Sequence, residues 1–128
     1  MKKLLLPVVA IALLSGCANF SQNVQKVLVS PAQFQADVTY LGGRAKQYVS
    51  AQDQAKIHNF ATQLNTVANL DLGPLYALLP SDTGSTVGNL LLNTAKTTLS
   101  LVVSMYGPNN ATTLAYAHAG ANGLLANF

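Results

Sequence analysis

One thiol, two imidazoles and four carboxylates are the groups in this 128-residue chain that could carry chemistry. The thiol is Cys17, the imidazoles are His58 and His118, and the carboxylates are Asp37, Asp53, Asp71 and Asp82, with no glutamate anywhere. A single cysteine excludes a disulfide within the chain. The histidines are sixty residues apart and neither has a second His, Cys or Glu nearby, so spacing gives no metal site. His58 shares a polar helix face with Gln54, Thr62 and Asn65 and is expected in solvent. His118 shares a face with Leu114, Ala121 and Leu125 and is expected partly buried and hydrogen-bonded. Nothing in the sequence calls for a cofactor.

Asp82-Thr83-Gly84-Ser85 matches the active-site tetrapeptide of aspartic proteases. That chemistry needs two such carboxylates sharing one proton across a dimer or pseudo-dimer. Here the tetrapeptide follows Leu79-Pro80-Ser81 between helical patterns, where a turn that caps the next helix explains the same residues. The chain is therefore read as a non-enzyme, with a hydrolase using Asp82 as the lesser alternative. Gly84 to Gly88, "GSTVG", has too few glycines and no lysine for a phosphate loop.

Cys17 has the most telling surroundings. Met1-Lys2-Lys3 is basic, Leu4 to Leu14 is apolar with one interruption at Pro7, and Ser15 and Gly16 are small. This is the order of an export signal. Its apolar run is about half the roughly 20 residues that a spanning helix needs. Leu14-Ser15-Gly16-Cys17 resembles the lipobox of bacterial lipoproteins. The resemblance implies diacylglyceryl transfer to the Cys17 thiol, cleavage between Gly16 and Cys17, and acylation of the new amine, with palmitate among the usual chains. One chain anchors a protein only marginally at about 0.8 kcal/mol per methylene, and two or three anchor it firmly. Because Ala18 is not aspartate, the resemblance favours the outer membrane, with the mature protein facing the periplasm. Asn110-Ala111-Thr112 matches the glycosylation sequon, which would have no standing in a bacterial lipoprotein, the class that the N-terminus resembles.

Removing residues 1 to 16 leaves enough chain for one small domain. Lys26, Arg44, Lys46, Lys56 and Lys96 against four aspartates leave a mature net charge of +1, so much of the whole chain's +3 belongs to the signal. No basic cluster is present to neutralise phosphates, which argues against nucleic acid. A surface made mainly of Asn, Gln, Ser and Thr is weakly charged and prone to associate. A membrane tether, a protein or envelope partner, or a homo-oligomer each fits that composition.

The elements that must position these groups are all helical. Residues 17 to 29 read as a lipidated tether in which Val24, Val27 and Leu28 could dock as a short helix. From 30 to 128 the pattern predicts a small antiparallel bundle of about four main helices plus one short helix. Ser30-Pro31 opens the first, with Phe34, Val38, Leu41, Ala45 and Tyr48 on its buried face and a weak point at Gly42-Gly43. Ser50 caps the second, with Asp53 three residues on, and Ile57, Phe60, Leu64 and Val67 face inward until Asn69 to Gly73 ends it. "GPLYALLP" suits a short helix of about two turns.

A long helix starts at Ser85 or Thr86 and stops at Gly107-Pro108. Val87, Leu91, Ala95, Leu99, Val102 and Tyr106 mark its buried face, and Asn89, Asn93, Lys96, Ser100 and Ser104 form a polar stripe. Residues 87 to 106 are apolar enough to raise a membrane span, but a central lysine is costly in lipid. A water-facing amphipathic helix is the reading that follows. Asn109 or Asn110 caps the last helix, with Leu114, Ala117, Ala121, Leu124 and Phe128 along one side. Gly120 and Gly123 are expected to weaken its second half.

Taken together, the sequence reads as a lipid-anchored envelope lipoprotein that acts as a binding or structural module. The layout is also similar to small lipoproteins encoded by temperate phages and prophages of Gram-negative bacteria. That similarity implies superinfection exclusion or lysis as the alternative role.

Overall fold

The computed structural model describes residues 28–128. The lipobox, the cleavage point at Gly16 and Cys17, and Val24 and Val27 of the tether lie outside the described residues. Five α-helices and no strand occur among the described residues, so the chain from Pro31 onward is a small all-α bundle. The helices are α1 (Pro31–Ala45), α2 (Ala51–Leu64), the short α3 (Leu72–Tyr76), α4 (Thr86–Tyr106) and α5 (Ala111–Leu125). A 3-10 turn, Lys46–Tyr48, extends α1.

The chain stops and starts where polar side chains can satisfy free backbone groups. Ser50 Oγ accepts from Asp53 N at 3.1 Å and begins α2. Ser85 Oγ accepts from Gly88 N at 3.2 Å and begins α4, and Asn110 Oδ1 accepts from Thr112 N at 2.8 Å and begins α5. Gly107 ends α4 with a φ of 91°, which a side chain would strain. Its carbonyl accepts a 2.6 Å hydrogen bond from the Thr113 hydroxyl, which is fully buried. Leu70 N donates to Pro108 O at 2.7 Å and pins the loop after α2 against the α4–α5 turn.

Phe34, Val38, Ile57, Phe60, Leu64, Leu91, Leu99, Val102 and Leu124 form the fully buried core. Burial on this pattern supplies the driving force for helices that would be marginal alone. Helices α1 and α5 approach most closely, and the glycines of α5 allow it. A β-carbon at Gly120 would lie 2.9 Å from Phe34 Cε2, and one at Gly123 would lie 2.9 Å from Gln35 O. Expected from sequence to weaken the helix, these two glycines are buried contact points, because close helix approach needs residues without side chains. Phe34 also meets the Tyr116 ring at a centroid distance of 6.1 Å and a 40° tilt.

The edges of the expected faces need correction. Tyr48 is exposed, because α1 changes to a 3-10 turn at Lys46 and rotates Val49 inward in its place. Tyr106 is exposed at the last position of α4, and Val67 and Val87 are only half-buried. Helix α2 ends at Leu64, earlier than expected, and the following loop buries Leu70. The short helix is five residues, not two full turns. Helix α1 does run unbroken through Gly42 and Gly43, and the chain end packs there: Asn127 Nδ2 donates to Thr39 O at 2.9 Å. Among the described residues no helix is long and apolar enough to cross a membrane, and Asn93, Ser100 and Ser104 of the α4 stripe are exposed.

Candidate functional site

The tetrapeptide Asp82-Thr83-Gly84-Ser85 forms the entry to α4, and its polar atoms are used in that turn. Asp82 is exposed, and one carboxylate oxygen accepts from Gly84 N at 2.8 Å and from Asn89 Nδ2 at 3.0 Å. The donors from Asn89 and then Gly84 hold its carboxyl below the usual carboxylate range. The Thr83 hydroxyl lies 3.0 Å from Asn89 Oδ1 and 3.1 Å from Ser85 O, two acceptors for its one proton. Thr83 N also donates to Asn89 Oδ1 at 2.9 Å. Thr83 is nested so closely over α4 that a β-carbon at Gly88 would meet its hydroxyl at 2.5 Å. Gly84 takes a φ of 74°, which completes the turn. This is a capping turn of the kind the sequence reading preferred.

Neither histidine is set up as a ligand. His58 is exposed as expected, and its Nδ1 donates to the main-chain oxygen of Phe128 at 3.0 Å, which links α2 to the chain end. His118 is exposed, contrary to the expectation of partial burial. The inward stripe of α5 is Thr113, Tyr116, Ala117, Gly120 and Gly123, which turns His118 outward. Among the described residues, no three His, Cys, Asp or Glu side chains cluster closely enough to hold a metal ion.

Among the described residues, an open groove of about 570 Å³ lies beside the α4 entry. It is lined by Arg44 from the end of α1, Tyr48 from the 3-10 turn, and Gly84, Ser85, Thr86, Val87 and Leu90 from the start of α4. Tyr48 is 63% exposed and Leu90 38%, although both are large and apolar. The Arg44 guanidinium carbon lies 6.0 Å from the centre of the Tyr40 ring, which is also exposed. Arg44 thus touches the exposed Tyr40 ring on one side and lines the groove with Tyr48, Val87 and Leu90 on the other.

Sequence reasoning missed this groove because it assigned Tyr48 to the core. The available signal was Arg44, four residues from each tyrosine, which marks a stripe facing water. Tyrosine and arginine are the residues most enriched where proteins bind other molecules.

Compared with known protein families, curated proteins and solved structures, the chain matches none. The site must therefore be read from its own residues.

Proposed function

We propose that this chain is a lipid-anchored envelope lipoprotein, held by acyl chains on Cys17 and facing the periplasm. Its helical unit acts as a binding module for a protein or other envelope component. Support for the anchor is the register of Lys2-Lys3, the apolar run to Leu14, and Leu14-Ser15-Gly16-Cys17. The observation that carries the binding half is the groove, which leaves Tyr48 and Leu90 in water beside Arg44. In this reading Asp82 serves the capping turn and performs no hydrolysis.

Palmitate labelling in a Gram-negative host tests the anchor. The wild type takes up label and Cys17→Ala does not; equal labelling of the two ends the lipoprotein reading. Inhibition of the lipoprotein signal peptidase leaves a precursor sixteen residues longer, the span of Met1 to Gly16. Membrane fractionation places the wild type with the outer membrane, and Ala18→Asp moves it inward in a host that sorts by aspartate.

A further inference from the structure

The groove beside the α4 entry has an electrostatic sign as well as an apolar floor. Its seven lining residues include one cation, Arg44, and no carboxylate. Among the described residues Arg44 makes no salt bridge, and its guanidinium rests near the Tyr40 ring. The first turn of α4 carries no acidic residue, so nothing there offsets the guanidinium. Asp82, the acid nearest in sequence to the α4 part of the lining, is turned into its own loop by Gly84 and Asn89, and Asp37, seven residues before Arg44, is buried. We infer that the groove docks a peptide segment of an envelope protein that presents an apolar side chain next to a carboxylate. Tyr48, Val87 and Leu90 take the apolar group, and Arg44 takes the carboxylate through a two-pronged, charge-assisted contact. This inference rests on the binding-module reading above and names the chemistry of its partner.

Other occupants fit less well. The segment from 17 to 29 contains Lys26 and no acid, so it cannot satisfy Arg44. A lipid surface would need more than one cation, since attraction to anionic lipid grows with each Lys or Arg. A second copy offers four aspartates: Asp37 is buried, Asp53 is half-buried between two glutamines, Asp82 is engaged, and the exposed Asp71 stands between the buried Leu70 and the half-buried Leu72, so none has an exposed apolar side chain directly beside it.

The test places a photo-crosslinking amino acid at Tyr48 in the full chain, expressed in a Gram-negative host, and maps the crosslinked segment by mass spectrometry. The expected segment has an Asp, Glu or terminal carboxylate within about three residues of an apolar side chain. Synthetic peptides of that segment, with the acid intact or replaced by its amide, are then titrated into the purified mature chain. The acidic peptide binds at least about ten-fold more tightly, as expected for a hydrogen bond to a charged group, and Arg44→Ala removes that difference. A crosslinked segment without a carboxylate, or equal binding of the acid and amide peptides, overturns the inference and leaves the binding module standing. Crosslinking to a second copy, or to phosphatidylglycerol, overturns it in favour of those occupants. No crosslink from either Tyr48 or Leu90 would sink the binding-module reading as well.

Discussion

Gly123 of α5 faces Gln35 of α1 so closely that a β-carbon would stand 2.9 Å from the Gln35 carbonyl oxygen. The same atom would stand 2.9 Å from Cβ of Val38, so neither backbone nor a flexible side-chain tip can yield. Gly123→Ala is expected to destabilise by about 1–3 kcal/mol through overpacking, despite a helix-propensity gain. Gly43→Ala should do the reverse. Gly43 is exposed within α1, and its nearest contact would be Asn127 Oδ1 at an ordinary 3.5 Å. Replacing it should add roughly 0.5–1 kcal/mol. Urea unfolding of both variants checks the pair; a neutral Gly123→Ala would contradict the close α1–α5 packing.

The α4 entry should respond to its caps in a graded way. Ser85→Ala loses the 3.2 Å bond to Gly88 N and should cost about 1 kcal/mol. Gly88→Ala should cost more, because its β-carbon displaces the Thr83 hydroxyl from the turn. Asp82→Ala should lower the melting temperature slightly. It should also flatten the acid limb: a carboxyl held below its usual value stabilises the fold above its unfolded pKa and loses that contribution as pH falls through the folded one. Melting temperatures at pH 7 and below pH 4 test this. A large loss at neutral pH from Asp82→Ala alone would contradict the exposed placement of its side chain.

Alkaline pH should weaken the bundle through two tyrosines. Burial pushes the Tyr76 phenol above its ordinary value near 10, partly offset by its hydrogen bond with Ser100. The hydroxyl donates to Lys96 O at 2.6 Å, tying the α3 region to α4. Burial, then the nearby Tyr106, raises Tyr116 in the same direction. Groups with raised folded pKa contribute fully below the unfolded value and lose that contribution as pH rises through the folded one. Stability should therefore fall above about pH 10, and Tyr76→Phe should show a shallower fall. Ultraviolet phenolate titration beside chemical unfolding measures both; an unchanged slope in the variant would remove Tyr76 from the account.

A chain of residues 30–128 should fold without detergent. Every main helix has an apolar face covered by a neighbour, and α4 presents Asn93, Ser100 and Ser104 to water. The expected result is a strongly helical circular-dichroism spectrum and a cooperative melt in buffer. Helical protein obtained only in detergent would reverse the assignment of α4 to the bundle.

Local chemistry settled much of this protein before any packing was known. The caps at Ser50, Ser85 and Asn110, the stop at Gly107, and the inward stripe of Ile57, Phe60 and Leu64 all depend on residues within about one helical turn. The turn at Asp82 to Ser85 belongs with them, since its side-chain bonds reach no further along the chain than Asn89. The proposed lipobox, Leu14 to Cys17, is likewise a pattern of four adjacent residues. Tertiary structure decided the rest. Gly120 and Gly123 look like helix weakeners until Phe34 and Gln35 arrive from the far end of the chain. Tyr48 looks like a core residue until the switch to a 3-10 turn points it into water and makes it one wall of the groove. Periodicity assigns a face to a side chain, but whether a neighbour covers that face depends on contacts far apart in sequence. The groove joins residues 44–48 to residues 84–90, so only the folded chain brings Arg44, Tyr48 and Leu90 into one surface.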